Sequence, residues 1–224
     1  MGIENAIQRL NDRFQSRPLN YTVEHSLVAD LQQFVHDEVG QNVPAYGLYH
    51  SSESTNYKQK YLDRLCRQQS IPNVQIEVNV GESGRNRRVD LAVLRPTTEN
   101  PEAENSPDSP AVSIQFVNGT KYYQSAAVQH AVEVKYIKNQ DLPSVQFGKS
   151  GSEDWGDVDG DLSKLGSLTE SVESSHLVIV SNKNIFQQEE ADEYSTLEAR
   201  DRYETLQEEC ERHGIRLTEI HPEE

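Results

Sequence analysis

Apolar residues return every three or four positions at the start of the chain. Ile3, Ile7, Leu10 and Phe14 form one such series, and Pro18 closes it. A second helix is predicted from near Thr22, with Val23, Leu27, Leu31, Phe34 and Val35 on one stripe and Gly40 at its end. A third is predicted from about Thr55 to Gln69, with Tyr57, Tyr61, Leu62 and Leu65 facing inward. Pro72 then turns the chain out of helix. Residues 1–70 are therefore expected to be mainly helical.

The period then falls to two. VQIEVNV (74–80) alternates in the manner of a half-buried strand, GESG (81–84) is a turn, and RRVDLAVL (87–94) is a more apolar, more deeply buried strand. TTENPEAENSPDSP (97–110) is acidic and rich in proline, which predicts a mobile insertion. AVSIQFV and TKYYQSA flank Asn118-Gly119, a strong turn signal, so 111–125 is expected to be an extra hairpin. QHAVEVKYIK (129–138) is another strand.

Farther on, DWGDVDG (154–160) reads as an acidic loop and DLSKLGSLTESV (161–172) as a helix. HLVIVS (176–181) is a continuous apolar strand of the kind buried on both faces. A long polar helix is predicted from about Glu190 to His213, capped by Gly214, followed by a last strand IRLTEI (215–220). No repeat is visible. The order predicts one α/β domain over 1–224, a central mixed β-sheet flanked by helices.

Charge changes this picture in one respect. The chain carries 37 acidic against 21 basic residues, a net charge of -16, which repels nucleic acid at long range in dilute buffer. Lysines are few, eight against thirteen arginines, and acidic residues are spread along the chain. That composition resembles a halophilic, salt-adapted protein; the other reading is an ordinary acidic protein. In ~1 M salt the Debye length is only ~3 Å, so the net charge then says little about substrate. Cys66 and Cys210 have no zinc-like spacing, and Cys66 reads as a small buried hydrophobe. The N-terminus lacks a signal-peptide pattern and no apolar run approaches a membrane span, so a cytoplasmic protein is expected. The seven histidines show no ligand spacing, no Ser/His/Asp arrangement or phosphate-binding glycine loop is visible, and Trp155 decides nothing.

The candidate chemistry lies on two strands. Asp90 sits between Val89 and Leu91, where burying a carboxylate is costly unless a cation compensates it. Glu133 and Lys135 share one face of their strand, while Val132, Val134 and Tyr136 take the other. If the strands pair, Asp90 and Glu133 converge with Lys135 beside them. Carboxylates at one point suit Mg²⁺, with the Val134 carbonyl as a further ligand, and a neighbouring lysine suits an attacking water or a charged transition state. The plainer reading makes Asp90 a partner of Arg87 or Arg88 and places Glu133 and Lys135 on a solvated edge.

These residues resemble the PD-(D/E)XK, or restriction-endonuclease-like, superfamily: VDL with Asp90, then EVK with Glu133 and Lys135 on a following strand. The resemblance adds a helix glutamate, Glu24 or alternatively Glu38, and equates DLSKLGSL with the helix after Glu-x-Lys and HLVIVS with the next strand. It covers roughly residues 20 to 182. Val89 stands where the family often has proline, and the gap from Asp90 to Glu133 is long, 43 positions (133 minus 90), filled by the insertion and hairpin. The resemblance implies a core of αβββαβ order with an N-terminal helical extension and a C-terminal αβ unit. It implies an Mg²⁺-dependent DNA endonuclease, with Mn²⁺ as a substitute metal and no organic cofactor. Asp90, Glu133, Val134 and Glu24 would hold metal, and Lys135 would assist catalysis. It leaves a homodimer open, as many relatives cut both strands as dimers. The rival expectation is a catalytically silent scaffold or nucleic-acid-binding subunit in a defence, repair or viral complex.

Other residues carry two readings each. Glu24 in a first helical turn is also explained by the helix dipole. Lys164 is expected to pack along the sheet with its ammonium near the rim of the site, where it could meet phosphate. Arg85, Arg87 and Arg88, with Lys121, Lys135 and Lys138, form the densest basic region, suited to phosphate or to local salt bridges. Tyr122 and Tyr123 suit base stacking or cross-strand packing. Glu77 reads as simply exposed.

Overall fold

The structure is a computed structural model that describes residues 2–18, 21, 23–49, 69–81, 88–98, 109–117, 120–137, 156–181, 204 and 206–222. Two helices come first, α1 (Gly2–Ser16) and α2 (Glu24–Val39). The series of buried residues is the one the spacing predicts: Ile3, Ala6, Ile7, Leu10 and Phe14 on α1, and Leu27, Val28, Leu31, Phe34 and Val35 on α2. Arg9 lies over the Phe34 ring at 4.5 Å and bonds Asp37 at 2.9 Å, tying the outer edges of the two helices.

Among the described residues nine strands follow, in two mixed sheets. They are β1 (Asn42–Tyr49), β2 (Gln69–Pro72), β3 (Val74–Asn79), β4 (Arg88–Leu94), β5 (Val112–Val117), β6 (Thr120–Tyr123), β7 (Val128–Ile137), β8 (Ser174–Ser181) and β9 (Ile215–Ile220). The larger sheet has the order β3-β4-β7-β8-β9, with β3, β4 and β7 antiparallel in sequence and β8 and β9 parallel to β7. The smaller has the order β2-β1-β5-β6. Helix α3 (Gly156–Gly166) precedes β8, and a helix over 206–212, α4, precedes β9.

The larger sheet divides the interior. On one side α1 and α2 pack over Leu91, Val93, Val132, Val134, Tyr136, Val178 and Val180. On the other, Leu162 and Leu165 of α3 and Leu206 and Cys210 of α4 pack against Ala131, Leu177 and Ile179, together with Val43, Ala45, Val112 and Ile114 of the smaller sheet. Strand β8 has a bonded neighbour on each edge and core on each face, and every residue from Ser175 to Ser181 is buried. Its unbroken apolar sequence follows from that position.

Several expectations are corrected. The first 70 residues are mainly helical among those described, through α1 and α2, but they also hold strands that the spacing does not predict: β1 occupies 42–49 and Gln69 opens β2. The rest of the predicted third helix, with Cys66, lies outside the described residues. One central sheet becomes two, since the extra hairpin β5–β6 joins β1 rather than the sheet bearing Asp90. The acidic stretch 154–160 is not all loop: α3 begins at Gly156, so the helix starts earlier than predicted and ends in turns after Gly166. The acidic insertion is closed by two backbone hydrogen bonds between Thr97 and Ala111, at 3.1 and 3.0 Å, and its middle lies outside the described residues. So do Trp155, the Asn118-Gly119 turn and the predicted helix before residue 204. No helix among the described residues is long and apolar enough to cross a membrane.

Candidate active site

Strands β4 and β7 pair only as far as Leu91 opposite Val132. One step farther Asp90 and Glu133 would be opposite, but there the ladder stops. The Asp90 side chain takes over, its Oδ2 accepting a hydrogen bond from the Val134 N–H at 2.8 Å. The strands therefore fork at the two carboxylates, and a side chain satisfies a backbone donor that the neighbouring strand has left. On β3 the position facing Asp90 is Glu77, between the pairs Ile76–Leu91 and Val78–Val89. Its φ of 51° lies in the left-handed region, which costs an L-residue roughly 1–2 kcal/mol. Alternation breaks there, with Ile76 and Glu77 both exposed. The strain sits directly across from the fork, where such outliers tend to collect.

Glu133 is only 2% exposed. As its spacing predicts, it leaves the face shared by Val132, Val134 and Tyr136 and turns toward α3. There the Lys164 ammonium lies 2.7 Å from Glu133 Oε1, 2.9 Å from Asp161 Oδ1 and 2.8 Å from the Arg88 carbonyl. Lys164 is thus inside the site rather than at its rim. Glu24, the first residue of α2, reaches the end of β7, where its Oε2 accepts from the Tyr136 N–H at 3.2 Å. The Tyr136 hydroxyl donates to the Tyr21 carbonyl at 2.8 Å and fixes this corner. Glu38, the alternative helix glutamate, is instead beside Arg9 and Asn5 at the far end of α2.

The carboxylates feel one another. Burial raises Glu133 well above the usual carboxylate range, the charges of Asp90 and Asp161 push the same way, and Lys164 pulls it only partly back. Glu24 is raised by burial and by Asp90, against the Tyr136 hydrogen bond and Lys135. Burial raises Asp161 too, with Lys164 and Lys135 opposing. Lys164 would be lowered by burial, but Glu133 and Asp161 outweigh this and keep it charged. Asp90 thus acts on all three other acids, and Lys135 acts on Glu24 and Asp161. Four acidic groups against two ammoniums leave a formal surplus of two negative charges (4 minus 2) in a place largely shielded from water.

Sequence reasoning missed Asp161, although its spacing of three from Lys164 on a helix was a usable signal. Arg85, Arg87 and Lys138 lie outside the described residues. The Arg88 side chain is exposed on β4 while its carbonyl serves Lys164. Tyr123 is packed in the core beside Ile114 and Val80. Among the described residues, no three acidic, histidine or cysteine side chains stand close enough together to enclose a metal ion as they are. A second polar group occupies the opposite end of the strands: Ser174 Oγ lies 2.8 Å from His130 Nδ1 and 2.9 Å from His176 Nε2. No known protein family, curated protein or solved structure matches this chain.

Proposed function

We propose that this protein is a metal-dependent phosphodiesterase of the PD-(D/E)XK type, an Mg²⁺-dependent endonuclease acting on DNA. The observation that carries the reading is the surplus of two negative charges at the β4–β7 fork, gathered from α2, β4, β7 and α3. A divalent cation is the species that offsets such a surplus, and carboxylate oxygens are its preferred ligands. Counting the larger sheet with its helices, and leaving aside β1, β2, β5 and β6 of the smaller sheet, the order α2, β3, β4, β7, α3, β8 is compatible with the αβββαβ core that the resemblance implies.

Asp90 and Glu133 would hold the metal, with Glu24 and the Val134 carbonyl completing the set. When bound, Mg²⁺ lowers the pKa of a coordinated water and takes up charge developing on the phosphate. The chain's own residues do the rest. Val134 N–H orients the Asp90 carboxylate, and Tyr136 N–H orients Glu24. Lys135, two residues from Glu133 on the same strand face, positions an ammonium to orient the attacking water and offset transition-state charge.

The test is cleavage of supercoiled plasmid and of branched DNA in molar KCl with Mg²⁺ or Mn²⁺. We expect cutting by the wild type and a loss of at least ~10²-fold in Lys135→Ala and Asp90→Ala, the scale of removing one well-placed charged group. Unchanged cutting by both variants would sink the assignment. One observation favours a second reading, a catalytically silent scaffold: every carboxylate of the group already has a protein donor, from Val134, Tyr136 or Lys164. That reading expects no cutting and no Mn²⁺ uptake by a folded sample.

A further inference from the structure

A lysine ammonium has three N–H donors and no acceptor, and Lys164 uses all three on oxygen. The oxygens come from three different elements: Glu133 on β7 at 2.7 Å, Asp161 on α3 at 2.9 Å and the Arg88 carbonyl on β4 at 2.8 Å. Two of them are anionic, and Glu133 is too deeply buried to be hydrated. Hard oxygens, mostly charged, closing on one positive point is also what a small metal cation asks of a protein. Here the positive charge comes from the chain itself.

We propose that Lys164 is an internal counter-cation of the acidic site, competing with the divalent metal for Glu133, so that metal entry turns the lysine out. The proposal rests on the metal-dependent reading above. Without metal, Lys164 holds Glu133 and Asp161 together, and the amides of Val134 and Tyr136 hold Asp90 and Glu24. The same arrangement explains why no three acidic groups converge as they stand. A dication on the Glu133 carboxylate would sit beside the ammonium in a poorly hydrated place, where repulsion between like charges is strong. The ammonium is the member that can leave. Its side chain is 16% exposed, against 3% for Glu133, and a flexible four-carbon stem lets the charge swing outward. The lysine thereby sets the metal concentration at which the site fills, and it keeps the acidic fork folded when metal is scarce.

The experiment is calorimetric titration of the full chain with Mn²⁺ in molar KCl, comparing wild type with Lys164→Met. We expect at least a tenfold lower Kd in the variant, since the competing cation is gone. Equal or weaker binding by a folded variant overturns the proposal and leaves the metal site standing. Absence of binding in both proteins overturns the metal reading, and the proposal with it. Because the substitution strands a buried carboxylate and threatens folding, a second measurement uses the wild type alone. Acetic anhydride labelling of Lys164 is followed by peptide mass spectrometry with and without saturating Mg²⁺, with exposed Lys121 as the internal reference. We expect Lys164 to label several-fold faster with Mg²⁺ while Lys121 is unchanged. Equal labelling of Lys164 under both conditions overturns the proposal.

Discussion

His176 shows how much one buried side chain can decide. It is 1% exposed, and burial depresses its pKa to about 4. A histidine with a lowered folded-state pKa takes up its proton more readily when unfolded. Between the ordinary value of 6.5 and about 4, falling pH therefore favours unfolding, and below about 4 the effect is complete. The full span is worth about 3 kcal/mol. The raised carboxylates Glu133 and Asp161 act in the opposite sense, since their protons bind better in the folded state. We therefore expect His176→Gln to flatten the loss of stability between pH 6.5 and 4 relative to wild type, read as urea midpoints across that range. Parallel pH profiles for the two proteins would show that His176 is not the titrating group.

Helix α3 is the element on which the candidate site depends most. Leu162 and Leu165 hold it against the larger sheet, and the same helix carries Asp161 and Lys164. Leu165 is completely buried, so Leu165→Ala should cost about 2–5 kcal/mol in urea unfolding. A cost under ~1 kcal/mol would mean that α3 is not packed as described. The entry to β9 is set by Gly214, whose φ of +65° suits glycine. Among the described residues a Cβ there would touch only Thr169, at 4.0 Å, so the expected cost of Gly214→Ala is that of the backbone, about 1–2 kcal/mol in the same assay. Strand β1 shows how an element escapes sequence reading. Pro44 and Gly47 both argue against a strand, yet β1 forms: β5 pairs with it only from Ala45 onward, and Pro44 stands opposite Ser70 in the short ladder to β2.

Net charge acts on the whole molecule. At -16 the folded chain repels itself, and salt screens repulsion between exposed charges within ~10 Å at 0.1 M and ~3 Å at 1 M. We expect the urea midpoint to rise between 0.1 M and 2 M KCl. A midpoint that falls would mean that surface ion pairs such as Arg9–Asp37 and Arg95–Glu173 outweigh the general repulsion. Salt should also relax the long-range penalty on approach to DNA, so cleavage assays belong in molar KCl.

The pattern of apolar positions determined α1, α2, β3, β4, β7, β8 and β9, because burial of one face or of both writes a period into the sequence. The same alternation put Glu133 and Lys135 on one face and set Asp90 within a buried strand. Local pattern carries no information about which strands meet. That the hairpin β5–β6 joins β1 in a second sheet was decided by tertiary pairing, as was the fork where β4 leaves β7. Asp161 reads as an ordinary helix residue, and Lys164 as one near the rim of the site, until α3 is laid on the sheet, and only then does the ammonium meet Glu133, thirty-one residues earlier in the chain. Residue types and their faces are local properties that the sequence records directly. The balance of charge at the fork arises from four elements brought together, and only the folded chain holds it.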